Sequence, residues 1–414
     1  MTDSKTLYAA LLGVTEPWGV DLVEMKREAG EVHVWVALPG RTRWVCPECL
    51  AAAPIHDHQE RSWRHLDTCQ FRTLVHARVP RLNCPTHGIR QLAVPWAESG
   101  SRFTALFEAL AIDWMREASI AGVAKVLRLT WDEAAGIQAR AVRRGLARRS
   151  RRALTYVGID ETSFQRRHEY VTVVSDLLKS QVLYVADDRG RESLDGYWKS
   201  LTLAERDGIA GIAMDMWEPY IRSTHAHVPG AAEKIVFDKF HVAQHLNKAV
   251  GLVRRQEHRE LLLEGKSWLT RTKYDWLRHP KNFRDDAWRS FTKLKDRALK
   301  VSRAWALKEV AMELWDLHYA GAAERNFRSW FGWARRCYLE PMKEVALLLK
   351  RHWANIRTYF THRITNAGAE GINAKIQAVK YRARGFRNRE RFRNAIYFHC
   401  GGLDLYPVGL GSGQ

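Results

Sequence analysis

Five short apolar segments between residues 155 and 240 constrain the fold of this chain more than any other feature. They read "TYVGID", "YVTVVSD", "QVLYVAD", "GIAMDM" and "KIVFD", and each has the length of a β-strand. The first three follow one another closely, as the strands of antiparallel hairpins do. Helical patterns separate the last two, which favours parallel pairing. The sequence therefore predicts a mixed α/β sheet in this part of the chain.

Every one of these strands carries an aspartate at or near its end. The acids are Asp160 (followed by Glu161), Asp176, Asp187 (followed by Asp188), Asp215 and Asp238. Most acids that follow strands are turn residues. A phosphoryl-transfer site, however, needs two or three carboxylates that can share two magnesium ions about 3.5–4 Å apart, and such ions prefer oxygen ligands. The positions of these acids in the sequence do not distinguish turn residues from metal ligands.

A late helix has one entirely polar face. In "RITNAGAEGINAKIQAVKYRARG" polar residues recur at steps of four and three, whereas Ile372, Ile376 and Val379 form an apolar opposite side. The polar face consists of Asn366, Glu370, Asn373, Gln377, Lys380 and Arg384. A solvated surface is one interpretation. The other is a functional face, on which the single carboxylate binds a metal while its neighbours contact phosphates or bases.

The first 90 residues or so read as short strands and turns, because residues 32–38 and 71–79 alternate between apolar and polar side chains. Two knuckles, "CPEC" and "CPTH", accompany these strands. Their two-residue spacing lets each turn present two ligands to a tetrahedral ion, which predicts a structural zinc site without an open position. Reduced thiols in a packed turn are the alternative. The zinc ligands would be Cys46, Cys49, Cys84 and His87.

From residue 102 the pattern changes to helix. "SIAGVAKVL", "RLT" and "WDEAAGIQARAVRR" predict two helices joined by a tight turn, with Thr130 as N-cap and Glu133 completing a capping box. This arrangement is typical of a helix-turn-helix, although an ordinary helical hairpin has the same pattern. Residues 137–152 contain seven arginines and no acid, which favours DNA contact. The candidate DNA-binding residues here are Arg140, Arg143, Arg144 and Arg148.

Residues 241–360 are helical in pattern and predict an all-helical insertion with its own core.

The overall charge of the chain agrees with a nucleic-acid partner. The net charge of 66 − 46 = +20 indicates a polyanionic partner. No apolar run approaches the roughly 18 residues of a membrane span. The N-terminus lacks the apolar core of a signal peptide. We therefore expect a cytoplasmic protein with reduced cysteines.

Four segments resemble the signature segments of DDE transposases of the ISL-three family of bacterial insertion sequences. They read "VGIDETSF", "GIAMDMWEPYI", "VFDKFHVAQHLNKAV" and "TNAGAEGINAKIQAVKYRARGFRN". The paired cysteine knuckles and the helix-turn-helix pattern match as well, so the resemblance covers about residues 40–400. It implies an RNase-H-like catalytic domain that a helical insertion interrupts before its glutamate. It also implies a catalytic triad of Asp160, Asp215 and Glu370, which would bind two magnesium or manganese ions.

The resemblance implies a transposase that binds the terminal inverted repeats of an insertion sequence and catalyses metal-dependent DNA cleavage and strand transfer. We expect a homodimer in its complex with transposon ends and target DNA. At position 87 a cysteine would be the plain expectation, and this chain has a histidine. The expected domains are a zinc-binding module (1–95), a helix-turn-helix with basic linker (100–152), two parts of the catalytic domain (153–240 and 361–400, the latter with a basic tail) and the helical insertion (241–360).

The choice of the second aspartate follows from the implied fold, in which the fourth strand pairs with the first. Asp215 would then lie beside Asp160, whereas Asp238 would be one strand farther away, at about 4.8 Å per strand. We therefore expect Asp215 to be the ligand, and Asp238 with His241 to support the site. Further DNA contacts are expected from Trp217, Asn366, Asn373, Lys380, Arg384 and Arg387.

Three other functions compete with transposition. A DNA-binding regulator would use the zinc and helix-turn-helix modules without catalysis, but it leaves the acids and the polar helix unexplained. An RNase-H-like nuclease would cut without strand transfer. A zinc hydrolase could use His241 and His245, which are four residues apart. The segment "HVAQH", however, lacks the glutamate that serves as general base in such motifs.

Overall fold

The computed structural model describes residues 3–39, 44–165, 169–237, 239–297, 299–364 and 367–409. The chain forms two compact units. Unit 1 comprises Met1–Ser150, Tyr381–Arg384 and Tyr397–Gln414, and unit 2 comprises Arg151–Lys380 and Gly385–Ile396. Among the described residues, no helix has both the length and the apolar character needed to cross a membrane.

Unit 1 begins with a helix and a five-stranded sheet. Its elements are α1 (Ser4–Leu12), β1 (Gly19–Lys26), β2 (Glu31–Ala37), β3 (Ile55–Thr68), β4 (Phe71–Cys84) and β5 (Gly88–Gln91). The strand order is β1-β2-β4-β3, and β5 pairs with the end of β4. Among these described strands, β2 and β4 pair in parallel and the other neighbours pair antiparallel. The alternation predicted for 32–38 and 71–79 is confirmed, because Val32, Val34 and Val36 bury one face of β2 and β4 buries its valines likewise.

Three helices follow the sheet of unit 1. They are α2 (Ala105–Glu117), α3 (Ile120–Leu127) and α4 (Trp131–Arg148). At the start of α4 the Thr130 side chain accepts a hydrogen bond from the Glu133 backbone N–H, and the Glu133 carboxylate accepts one from the Thr130 N–H. This pair satisfies two otherwise unpaired backbone donors. The predicted capping box is therefore confirmed.

Residues from the C-terminal end of the chain complete the core of these three helices. Phe398, Leu405 and Tyr406 are buried in the same apolar cluster as Phe107 and Ile137. The Tyr406 hydroxyl also donates a hydrogen bond to Asp113 of α2. The hydrophobic core of unit 1 thus contains residues separated by more than 250 positions in the sequence, which no local pattern indicates.

Unit 2 is built on a second five-stranded sheet. Its strands are β6 (Tyr156–Gln165), β7 (Glu169–Asp176), β8 (Gln181–Asp187), β9 (Gly211–Met214) and β10 (Ile235–Phe237). The order is β10-β9-β6-β7-β8. β6, β7 and β8 pair antiparallel, whereas β9 pairs parallel with both β6 and β10. The predicted mixed sheet, with three antiparallel strands followed by two parallel ones, is confirmed.

Helices make up most of the rest of unit 2. Between the strands lie α5 (Arg191–Ser200), α6 (Leu203–Asp207), α7 (Glu218–His227) and α8 (Ala231–Lys234). After β10 come α9 (Lys239–Leu263), α10 (Lys273–Leu277), α11 (Asp285–Lys295), α12 (Lys300–Met312), α13 (Ala320–Arg335), α14 (Glu340–Arg351), α15 (Trp353–Arg357) and α16 (Tyr359–His362), with 3₁₀ helices at Pro280–Asn282 and Glu313–Asp316. The last two helices are α17 (Ala367–Arg382) and α18 (Arg389–Cys400).

The described residues of the segment 239–364 contain helices and no strand, as predicted. Their core is not separate, however. Trp276, Trp305 and Trp330 belong to one continuous apolar cluster with Val157 and Ile212 of the sheet. The prediction of an independent core was wrong, because α15 and α16 pack directly against the edge strand β10.

Two glycines of α4 provide a test of the packing in unit 1. A Cβ atom on Gly145 would lie 2.6 Å from Leu403 Cβ and 3.0 Å from the Asp404 carbonyl oxygen. Gly145→Ala should therefore lower the free energy of unfolding by about 1–3 kcal/mol through overpacking. Gly136→Ala in the same helix is the matched control. Its nearest neighbour would be Arg140 Nη1 at 3.6 Å, so the gain in helix propensity of up to about 1 kcal/mol should dominate.

Chemical unfolding of both full-length variants, followed by circular dichroism, measures this difference. If Gly145→Ala were as stable as Gly136→Ala, the C-terminal residues would not pack on α4 in solution.

Candidate functional site

The pairing of β6 with β9 brings two aspartates together. The two strands are parallel, and Gly158 is paired with Ala213. Two residues after this pair come Asp160, within β6, and Asp215, directly after the end of β9. Since side chains in strands alternate with a period of two, the two carboxylates emerge side by side on the same face of the sheet.

The carboxyl groups at this position are half-buried and repel one another. Burial raises the pKa of Asp160 to about 6, and the nearby Asp215 charge adds to the rise, although the Glu161 N–H and His241 oppose it. Burial likewise raises the pKa of Asp215. The pKa of Glu161 is raised by burial and by the charge of Asp215. Three neighbouring acids with raised pKa values form a site that a bound cation would stabilise.

Hydrogen bonds fix the orientation of both aspartates. Asp160 Oδ1 accepts a hydrogen bond from the Glu161 backbone N–H at 2.8 Å, and its Oδ2 accepts one from Asn373 Nδ2 at 2.7 Å. Asp215 Oδ1 accepts the Trp217 backbone N–H at 3.0 Å. The carboxylates are therefore held in place before any ligand binds.

The polar face of α17 lies along β6. Besides the bond from Asn373 to Asp160, Gln377 Nε2 donates to Thr162 Oγ1 at 2.8 Å and Lys380 Nζ donates to the Ser163 carbonyl at 2.8 Å. The opposite residues Ile372 and Ile376 are buried. A purely solvated face is therefore the wrong interpretation of this helix.

Glu370 lies on the same face of α17, one turn before Asn373, and it is exposed. Its role as a third carboxylate beside Asp160 and Asp215 stays a prediction. Asn366 and Asp238, which were also predicted to take part, lie outside the described residues.

His241 lies close to the acids. It is buried in α9, and it lowers the pKa of both Asp160 and Asp215. Four residues later, burial lowers the pKa of His245 itself. The structure thus brings His241 to the carboxylates.

Arg189 also belongs to this site, and the sequence did not single it out. Its guanidinium lies 4.7 Å from the ring centre of Tyr170 and 4.7 Å from that of Trp217. Its Nη1 is 3.3 Å from Glu161 Oε1. Its carbonyl accepts the Trp217 indole N–H at 3.0 Å. Trp217 is thus half-buried against Arg189. The only sequence signal was the position of Arg189, directly after the acids that end the third strand.

The four predicted zinc ligands come together in unit 1. Their ligand atoms lie within 4.8 Å of one another. The Cys49 and Cys84 sulfurs are 3.6 Å apart, and His87 Nδ1 is 3.6 Å from Cys84 Sγ and 3.7 Å from Cys46 Sγ. Tetrahedral zinc with Zn–S bonds of about 2.3 Å separates two sulfurs by about 3.8 Å, so these spacings fit. The backbone N–H of His87 helps to lower the pKa of Cys84 to about 7, which favours the thiolate that binds a metal.

The arginines of α4 differ from one another in environment. Arg144 has a side chain only 7% exposed, and it pairs with Glu98 at 2.7 Å and Glu108 at 2.9 Å. Arg140 also pairs with Glu108, at 2.7 Å. These contacts give both arginines a structural role that the sequence did not predict, because their acidic partners lie outside the helix.

The remaining candidate DNA-binding residues differ in their exposure and in their partners. In α4, Arg148 Nη1 lies 3.0 Å from Asp404 Oδ2, whereas Arg143 is exposed. Lys380 donates a hydrogen bond to β6. Arg384, in unit 1, and Arg387, in unit 2, are both exposed.

Comparison with known proteins gives matches along most of the chain. Residues 157–396 match a family model described as "Transposase", residues 42–87 match the zinc-finger of transposase IS204/IS1001/IS1096/IS1165, and residues 92–142 match the helix-turn-helix domain of transposase family ISL3. Residues 157–396 are more than half of the chain.

Two similar proteins extend the match to nearly the full length. The transposase for insertion sequence element IS1557 of Mycobacterium tuberculosis is 26% identical and covers 92% of each chain. The transposase for insertion sequence element IS1001 of Bordetella parapertussis is 24% identical and covers 95% of this chain and 97% of its own. Along this chain the zinc-finger match comes first, the helix-turn-helix match second and the transposase match third. Because the transposase match covers more than half of the chain, the chain belongs to the ISL3 family of DDE transposases.

Proposed function

We propose that this chain cuts DNA at the ends of an insertion sequence and joins the freed 3′ ends to target DNA. The observation that carries this proposal is the pair of half-buried carboxylates, Asp160 on β6 and Asp215 directly after the adjacent parallel strand β9. Both similar proteins are named as transposases for insertion sequence elements. An insertion sequence has two ends, which favours a homodimer in the DNA complex.

The catalytic part is proposed to be RNase-H-like. Three antiparallel strands followed by two parallel ones, with the fourth beside the first, support this assignment. The helices from α9 to α16 would form the insertion that precedes the glutamate helix α17. The division between the units after Ser150 supports a boundary near residue 152 between the DNA-binding and catalytic parts.

The residues of unit 2 fit a divalent cation such as magnesium or manganese. The potential ligands Asp160, Asp215 and Glu370 offer only carboxylate oxygens, which both ions prefer. The Asn373 Oδ1 atom is buried and has no hydrogen-bond partner among the described residues. Two bound ions would supply Lewis-acid chemistry, polarising the phosphate and activating water or a 3′-hydroxyl.

The chain's own groups prepare this chemistry. Asn373 and the Glu161 N–H hold the Asp160 carboxylate by both of its oxygens. The Trp217 N–H holds one oxygen of Asp215. Because these donors are fixed before DNA binds, little reorganisation is needed at the moment of reaction. Asp238 and His241 are proposed to support the site from its margin.

Removal of a single carboxylate charge should stop cleavage. Asp160→Asn, Asp215→Asn and Glu370→Gln should each slow cleavage by on the order of 1,000-fold, since metal ions contribute several kcal/mol to such reactions. Binding to end DNA should persist. The assay is cleavage and joining of duplexes that carry the flanking inverted repeats, with magnesium or manganese.

Asp188→Asn is the matched control, because Asp188 lies at the end of β8 with a 69% exposed side chain and pairs with Arg389. It should cut normally, and Asp238→Asn should keep measurable activity. An active Asp215→Asn with an inactive Asp238→Asn would reverse the choice of ligand. Cut but never joined ends would favour the nuclease function, and end binding without any cutting would favour the regulator.

Unit 1 is proposed to bind one structural zinc ion through Cys46, Cys49, Cys84 and His87. A Cys46→Ser, Cys84→Ser variant should lose that zinc and unfold at a lower temperature, because the free energy of metal binding stabilises the fold. Metal analysis of purified protein measures the stoichiometry. Cys69→Ser is the control, since Cys69 is exposed and lies outside the cluster. A double variant that retains full zinc would contradict these ligands.

Unit 1 is also proposed to recognise the transposon ends, with Arg143 as a phosphate contact. Arg143→Ala should weaken DNA binding and reduce the slope of log affinity against log salt by about 1, without changing stability. Arg144→Ala should instead lower the free energy of unfolding by about 3 kcal/mol, because it removes a partner of the buried Glu108. Fluorescence anisotropy and thermal unfolding separate the two effects. Equal losses of stability in both variants would argue against this distinction.

A further inference from the structure

Arg189 occupies an unusual position for a cation. It contacts a carboxyl group, Glu161, that neighbours the proposed metal ligands Asp160 and Asp215. A fixed cation at this place opposes the binding of divalent ions by like-charge repulsion. Its presence is therefore explained better by an anion that binds at the same site than by the metal ions themselves.

The two aromatic rings restrict how the guanidinium can bind such an anion. Tyr170 and Trp217 each lie 4.7 Å from its central carbon. Contact with both rings lowers the conformational entropy that the long side chain would otherwise lose on binding. A guanidinium with fixed orientation is well suited to phosphate, which it can bind through two parallel N–H donors.

The present partner of Arg189 is replaceable. The contact between Arg189 Nη1 and Glu161 Oε1 is 3.3 Å long, whereas strong charge-assisted hydrogen bonds are about 2.7–2.9 Å. The Arg189 side chain is 38% exposed and that of Glu161 is 25% exposed. Such a partly solvated pair contributes little to stability, so a phosphate could displace the carboxylate at small cost.

We propose that Arg189 exchanges Glu161 for the DNA phosphate at the cut and holds that phosphate over the acidic site. This inference rests on the proposed function, since it names the group that the same site binds. Arg189 then partly neutralises the phosphodiester while Asp160 and Asp215 hold the metal ions. Tyr170 and Trp217 act as positioning residues for the guanidinium.

The test compares full-length Arg189→Ala with Arg191→Ala. Arg191 lies two residues away, has a 51% exposed side chain and pairs with Asp195 of the same helix. The first measurement is the affinity of the DNA-free protein for Mn²⁺ by calorimetry. Arg189→Ala should bind Mn²⁺ several-fold more tightly, because a repelling charge is gone. Its cleavage rate at saturating Mn²⁺ should nevertheless fall about 100-fold, as after the loss of one transition-state donor.

The second measurement identifies the phosphate contact without cleavage. End duplexes with either a phosphate or a neutral methylphosphonate at the cut are bound in EDTA, and the ratio of their dissociation constants is compared between proteins. In Arg189→Ala the preference for the charged phosphate should fall on the order of tenfold, whereas Arg191→Ala should leave it unchanged. Arg189→Lys should recover part of the preference, since it keeps the charge without the planar donors.

This role would be overturned if a folded Arg189→Ala kept the ratio of dissociation constants for the two duplexes, or cleaved at the normal rate. Weaker Mn²⁺ binding by this variant would also overturn it, because Arg189 would then support the metal ligands. The DNA-binding ratio needs no catalysis. It therefore tests Arg189 even if the unsubstituted protein fails to cut its ends, an outcome that would instead refute the proposed function.

Discussion

The site depends on the parallel pairing of β6 with β9. Neighbouring strands lie about 4.8 Å apart, so two aspartates in register must share one small volume. Their mutual repulsion and burial are unfavourable, as the raised pKa values of Asp160 and Asp215 show. The apolar residues of the same strands offset this cost, since Val157, Ile159 and Ile212 are fully buried in the largest apolar cluster. A slip of one residue would exchange the acidic and apolar faces.

The helix α17, which carries the proposed ligand Glu370, is oriented by hydrogen bonds that join a helical repeat of polar residues to a strand repeat. Its polar residues recur every three or four positions, and those of β6 recur every second position on one face. The bonds of Asn373, Gln377 and Lys380 to β6 therefore fix both the direction and the rotation of the helix. Glu370 precedes them by one turn. The orientation of one helix thus determines where the proposed ligand Glu370 lies relative to carboxylates that come more than 150 residues earlier in the chain.

Local patterns predicted the features that depend on neighbouring residues. Strand length and spacing predicted the mixed sheet, helical steps predicted the polar face of α17, and two-residue spacing predicted the Cys and His cluster that the structure brings together. Charge pairing could not be predicted in this way. Arg144 looked like a DNA contact because its partners Glu98 and Glu108 lie in other elements. Arg189 was missed because its stacking partners Tyr170 and Trp217 come from separate parts of the sequence.

The boundary of the DNA-binding part also depends on contacts between residues that are distant in the sequence. The match to the helix-turn-helix model ends at residue 142, and the basic segment ends at residue 152. Yet Leu405 and Tyr406 fill the core between α2 and α4, and Arg144 donates to the Leu405 carbonyl. A fragment that ended at residue 152 would expose this apolar surface and leave that donor without its acceptor. The helix-turn-helix of this chain is therefore complete only when the residues after the last helix of the chain have folded onto it.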